Sequence, residues 1–321
     1  MRARFMEVAF LTKIEKTNIN ASGTEGNVTT LKKTEEIDGT QRIFISGASI
    51  KYSVKEYLRG IGWELSKVEP KIGRQRGRTG KDEETEATGR QITTACEPDK
   101  YIDDDLFGFM DTSLRPPKKR VAPVKTNGLI SLFPYRGDIN RGVRFDPTGQ
   151  EQHSLYDIEI TTNIFRSNWA IELDRIGEFG DSNPQATKKE PVKSIADAEK
   201  EKRAKALLES LFNLWSTVKQ TNFLSKLTPE VMAIVLRDDK TLTIGDKLKV
   251  DEKMNLSSGA LKEALSYHKA RIKEAHLGYF PSFISNQAEI DSLQGYEGKL
   301  KVSSLSDLKD MILGDGFKLY A

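Results

Sequence analysis

Residues 45–51, ISGASIK, carry the plainest chemical capacity in this sequence. The apolar run RIFI (42–45) ends there. Past Ser46, Gly47, Ala48 and Ser49 the apolar spacing turns helical, through Ile50, Val54, Tyr57 and Leu58. A chain that runs through glycine and serine into a helix start leaves backbone N–H groups unpaired at the positive end of the helix dipole, and such a place holds anions. Lys51 adds a cation one turn into the helix. It does not stand where the pattern GxxxxGK[ST] puts its lysine, so a nucleoside triphosphate fits poorly.

A second constellation lies downstream. Arg136, Arg141 and Arg144 interleave with Phe133, Tyr135 and Phe145. Guanidinium groups grip phosphates and stack on bases, and aromatic rings wedge between bases. The competing reading makes Phe133 and Tyr135 a small core of their own. Asp103, Asp104 and Asp105 have the chemistry to bind a metal, but three adjacent acids in a loop are ordinarily just solvated. His153, His268 and His276 have no zinc-motif spacing and read as structural or exposed; no GxGxxG or GxSxG occurs. Cys96 is the only cysteine, so neither an internal disulfide nor a cysteine-based zinc site is available. No cofactor and no metal is expected.

Net charge is only +3 in 321 residues, but the charge is clustered. Lys67, Lys71, Arg74, Arg76, Arg78 and Lys81 form one group. Arg115, Lys118, Lys119, Arg120 and Lys125 form a second, and the three arginines above a third. Acids gather in DEETE (82–86) and DDD (103–105). A charge run in a loop can simply keep it solvated; three basic clusters in one central segment favour a nucleic-acid partner. The chain shows no apolar run near the length of a membrane span and no signal-peptide pattern, so the expected setting is the cytoplasm, without a membrane partner.

The elements that must position these residues follow from periodicity. Residues 2–14 read as a buried strand, 17–27 as turn chemistry, and 46–59 as a helix capped by Ser46 or Ser49 with Gly60 just past its end. From 63 to 153 the pattern is loop-like with short apolar islands (LFGFM, GLISLF). Residues 156–164 alternate as a half-buried strand, FRSN reads as a connection, and 169–173 as a second strand forming a hairpin with the first. Helices are expected at 194–219, 258–275 and 304–313, with a strand at 231–236. The order β-α-(insertion)-β-β-α-β is that of the ferredoxin-like split βαβ fold, which many functions share.

Five segments in one order carry a resemblance: TNINASG (17–23), RIFISGASIKYSVKEYLR (42–59), DDDLFGFM (103–110), APVKTNGLISLFPYRG (122–137) and YDIEITTNIFRSNWAIELDRIG (156–177). Together they resemble the DevR family, the repeated backbone subunits of type I-B CRISPR surveillance (Cascade) complexes. The resemblance implies an α+β chain with an RNA-recognition-like (ferredoxin-like) palm and inserted fingers and thumb, a right-hand shape. It divides this sequence into a first palm part (1–62), fingers and thumb (63–153, the thumb at about 136–153), and a second palm part with C-terminal helices (154–321). It implies a non-enzymatic protein that binds the crRNA spacer in a head-to-tail multimer. The guide is then presented to target DNA, beside the handle-binding, large and small Cascade subunits, and base pairing reads the sequence while protein holds the backbone.

Residue by residue, the family pattern I-S-S-Q-S-x-K falls on Ile45 to Lys51, which makes Ser46, Gly47, Ser49 and Lys51 RNA-backbone contacts. Gly47 and Ala48 stand where many relatives have Ser and Gln, so contact there would come from main-chain amides. Arg42 matches a basic position, Asn18 and Asn20 match the RNA-facing end of the first strand, and Lys125 falls in the fingers. Arg136, Arg141 and Arg144 fall between fingers and thumb. The alternative is a type III-like subunit that cuts target RNA through Asp38, just before the SGAS segment.

Overall fold

The structure is a computed structural model and describes residues 3–67, 69–71, 91–111, 118–144, 154–180, 193–216 and 223–320. It is an α+β chain dominated by one eleven-stranded sheet. The strands are β1 Phe5–Thr17, β2 Ala21–Glu25, β3 Val28–Leu31, β4 Lys33–Glu35, β5 Gln41–Ile45, β6 Val124–Ser131, β7 Asp138–Arg144, β8 Ser154–Ile171, β9 Val231–Arg237, β10 Ile272–Tyr279 and β11 Leu300–Ser304. The helices are α1 Gly47–Gly60, α2 Ile102–Phe107, α3 Asp197–Phe212, α4 Ser258–His268, α5 Gln287–Asp291 and α6 Leu305–Leu313.

The sheet runs β11-β10-β9-β1-β8-β6-β5-β4, with β7 and the β2–β3 hairpin joined to the outer half of β8. β1 sits between β8 and β9, antiparallel to both, and is buried from Phe5 to Thr12. Its alternate residues feed two cores. Met6, Val8 and Phe10 join one with Phe165, Trp169, α1, α3 and α6, while Ala9 and Leu11 join another with β9, β10 and α4. A strand buried on both faces reads as a continuous apolar run, which is why FMEVAFLT lacks alternation.

The expected hairpin at 156–173 is one continuous 18-residue strand. FRSN contains no glycine or proline to turn the chain. Phe165, Ser167 and Trp169 point into the first core, and the ladder to β1 runs unbroken from Met6↔Ile171 to Ile14↔Asn163. On its other side β8 pairs with β6, inside the segment 63–153 that reads as loop-like; the apolar island GLISLF begins in the second half of β6. That segment also holds α2, β7 and two short ribbons (Glu69–Lys71 with Gln91–Thr93, Phe109–Asp111 with Lys118–Arg120).

Other boundaries also move. The helix expected at 194–219 ends at Phe212, and Trp215 lies beyond it, bridged to Lys226. The helix expected at 258–275 stops at His268, and Ile272–Tyr279 is strand. The turn-rich stretch after residue 17 forms the β2–β3 hairpin around Gly26 and Asn27. Among the described residues no helix is long and apolar enough to cross a membrane.

Candidate nucleic-acid interface

The start of α1 is built by backbone contact. Ser46 is the N-cap, and its Oγ accepts the Ser49 amide at 3.4 Å. Gly47 and Ala48 supply first-turn amides for which an α-helix has no acceptor of its own. On the other side lies an irregularity of β6 between Thr126 and Leu129, where Gly128 takes φ +80°. A Cβ on Gly128 would stand 2.0 Å from the Ile45 carbonyl oxygen and 2.8 Å from the Gly47 nitrogen; a Cβ on Gly47 would stand 2.9 Å from the Thr126 carbonyl oxygen. Two glycines therefore let helix start and strand touch. The contact is braced from the core: Ser167 Oγ donates to the Gly128 carbonyl at 2.7 Å, and Trp169 Nε1 donates to Ser167 Oγ at 2.9 Å.

Lys51 extends from this turn half-buried, 5.7 Å from the Phe107 ring centroid, with no carboxylate partner among the described residues. Burial, and then neighbouring Lys55, lower its pKa from the ordinary lysine value. Lys55 is paired, its Nζ 2.9 Å from Asp103 Oδ2. Lys51 is thus a cation without its counter-charge, one turn from unpaired amides.

The sheet face away from α1 and α3 carries a second basic group. Ile130 lies opposite Phe44 on β5 and Arg166 on β8, so Arg42, Phe44, Ile130 and Arg166 share one face. Arg42 donates to the Leu132 carbonyl and pairs with Glu36 at 3.2 Å. Arg166 Nη1 donates to the Asp246 carbonyl at 2.8 Å; burial lowers its pKa, and Arg42 adds to the effect. Lys125, opposite Ala170 on the same face, is exposed but ion-paired to Glu172. Glu172 also pairs with Lys240 and Arg175. Burial would raise the Glu172 pKa, but these hydrogen bonds and charges prevail and pull it down to about 2.

The remaining expected contacts scatter. Asn18 and Asn20 are buried, with their amide groups donating to the carbonyls of Glu159 and Phe44 at 2.9 and 3.0 Å, so these side chains tie the connection between β1 and β2 to β8 and β5. Arg136 is exposed. Arg141 lies on β7 with its guanidinium forked onto Asp157 at 2.8 and 3.1 Å. Arg144 ends β7, and its side chain is outside the described residues, as are Arg74, Arg76, Arg78, Lys81, Arg115, Phe145, His153 and the DEETE run. Phe133 and Tyr135 are half-buried against the two cores, and Lys33 Nζ sits 4.5 Å from the Tyr135 centroid, which favours the packing reading. Asp38 is exposed in the turn after β4, and the Thr40 amide bonded to it lowers its pKa. Among the described residues no three His, Cys, Asp or Glu side chains converge as metal ligands.

The DDD run is not a solvated loop. It lies in α2, buried, and each acid serves a different element. Asp103 takes Lys55 and the Ser66 amide, Asp104 the Glu97 amide, and Asp105 takes Arg120, Arg203 and the Gly177 amide. Arg120 is therefore a buried structural cation, not part of a basic surface. Arg166 was invisible in the sequence because FRSN reads as a connection; the alternation of Ile164, Arg166 and Asn168 against Phe165, Ser167 and Trp169 was the available signal.

Residues 8–253 match the family described as CRISPR-associated negative auto-regulator DevR/Csa2. Among solved structures, a chain of a "CRISPR RNA-guided surveillance complex, pre-nicking" is similar at a TM-score of 0.62 and 12% identity, over 98% of this chain and 100% of that one. A chain of a "CRISPR RNA-guided surveillance complex" is similar at a TM-score of 0.54 and 12% identity, with the same coverage. None of the curated proteins matches. Since the family match extends from β1 to the segment before α4, this chain belongs to the DevR/Csa2 family of CRISPR-associated proteins.

Proposed function

We propose that this protein is the non-catalytic backbone subunit of a type I-B Cascade surveillance complex in the cytoplasm. Several copies bind one crRNA head to tail and present its spacer to target DNA. The observation that carries this reading is the α1 start: unpaired amides, Ser46, and an unneutralised Lys51 held by backbone contact against β6. A grip made of main-chain N–H groups and a lysine recognises phosphate without regard to base, which suits a holder of many guides. Arg42 and Arg166 add basic character on the opposite sheet face. The connection of β1, α1, β6, β8, α3 and β9, in sheet order β9-β1-β8-β6, supports an RNA-recognition-like palm, to which β6 contributes from within the 63–153 segment expected to hold fingers and thumb. The handle-binding, large and small subunits are further partners.

The test is size-exclusion of the purified protein with single-stranded RNAs of increasing length. The mass of the complex should rise stepwise with RNA length, and affinity should fall steeply with salt. One copy at every length, or a salt-insensitive affinity, would overturn the proposal.

A further inference from the structure

The carboxylate of Glu7, near the start of β1, is buried beside Ala9 and Leu11, its apolar neighbours on the same face. Three consecutive amides of the segment between β9 and α4 point at it: Thr243, Ile244 at 3.2 Å and Gly245 at 2.8 Å. A buried carboxylate is unfavourable unless hydrogen-bonded, so an acid at this position has a specific partner to hold. The residue after those amides, Asp246, offers its carbonyl to Arg166 Nη1 at 2.8 Å. Gly245 lies so close to β8 that a Cβ there would stand 1.7 Å from Asn168 Nδ2. Glu7, the 243–246 segment and Arg166 thus form one continuous chain of contacts across β1 and β8.

We propose that Glu7 is a positioning residue for Arg166: it clasps the 243–245 amides so that the Asp246 carbonyl holds the Arg166 guanidinium on the sheet face beside Arg42. The clasp rests on the reading of that face as an RNA-backbone site. Without it, Arg166 would sample many rotamers and lose the preorganisation that makes a guanidinium effective on phosphate.

The experiment compares Glu7→Gln, Arg166→Ala, Lys51→Ala and the two double variants containing Glu7→Gln. It measures amide hydrogen exchange at 243–245, the Arg166 guanidinium N–H resonance, and affinity for a single-stranded RNA. Glu7→Gln should speed exchange at the three amides and broaden the Arg166 resonance. It should weaken RNA binding about tenfold, the size of one charge-assisted contact. It should add little to Arg166→Ala yet act in full on Lys51→Ala, a pattern that a general loss of stability does not produce. Gly245→Ala, which displaces the same segment without touching a charge, should repeat these effects and decides the matter if Glu7→Gln does not fold. Unchanged exchange, an unchanged Arg166 resonance, or additivity with Arg166→Ala would overturn the clasp. If the unaltered protein holds no RNA, the RNA reading fails, and the exchange and resonance measurements still decide whether Glu7 positions Arg166.

Discussion

Lys51 and Glu172 show opposite uses of charge. Lys51 is half-buried beside another lysine without a carboxylate, and its lowered pKa means that folding disfavours its charged form. Replacing it by glutamine should therefore leave the thermal midpoint equal or slightly higher while weakening RNA binding and lowering the salt slope by about one contact. Glu172 is the reverse. Its pKa is depressed, so its contribution is full above the ordinary carboxylate range and is lost as pH falls toward about 2. Glu172→Gln should flatten the acid limb of a stability-versus-pH curve across that window and leave RNA affinity unaffected. Asp105 is a third case. Asp105→Ala strands Arg120 and Arg203 in the interior, and urea unfolding should show a loss of about 3–5 kcal/mol.

At the scale of elements, the α1 start was legible and its support was not. Ser46, the Ile50, Val54 and Leu58 stripe, and the ending near Gly60 gave the helix to within a residue, because capping and 3.6-residue spacing are local signals. The glycine in the left-handed conformation after it is Gly62. Its seat on β6 depends on Gly128, far along the sequence from Gly47, and no local pattern announces that contact. FRSN reads as a break in β8 because Arg166 and Asn168 interrupt the apolar run; their alternation with Phe165, Ser167 and Trp169 is the one local sign of a continuous strand, and the ladder to β1 shows those two side chains turned to the other face. Likewise DDD reads as solvated since its partners, Lys55, Arg120 and Arg203, are distant in sequence. The seat yields a prediction. Gly128→Val places a branched side chain against the Ile45 carbonyl and Gly47 nitrogen at φ +80°, and should both destabilise the fold and abolish RNA retention. Ala48→Gly, which leaves the amides in place, should retain RNA.

On the scale of the whole molecule, one sheet joins two cores; Arg42 of β5 and Arg166 of β8 meet on one of its faces, and Lys51 stands at the start of α1 on the other. Of the three basic clusters in the sequence, the second contributes a buried Arg120 and an ion-paired Lys125, and the third holds Arg141 against Asp157. Among the described residues, the candidates we propose to face an anion are fewer and more specific than bulk charge suggests: Ser46, Gly47, Ala48, Ser49 and Lys51 at the start of α1, exposed Arg136, and, on the other sheet face, Arg166 with the Glu36-paired Arg42. The direct test is to sequence the RNA that co-purifies with the assembled complex, for the unaltered protein and for the Arg42→Ala, Lys51→Ala double variant. Variable spacers on a uniform repeat-derived handle, lost in a double variant that still folds, is the predicted result. No bound RNA in the unaltered protein, or the same RNA retained by the double variant, would contradict the account.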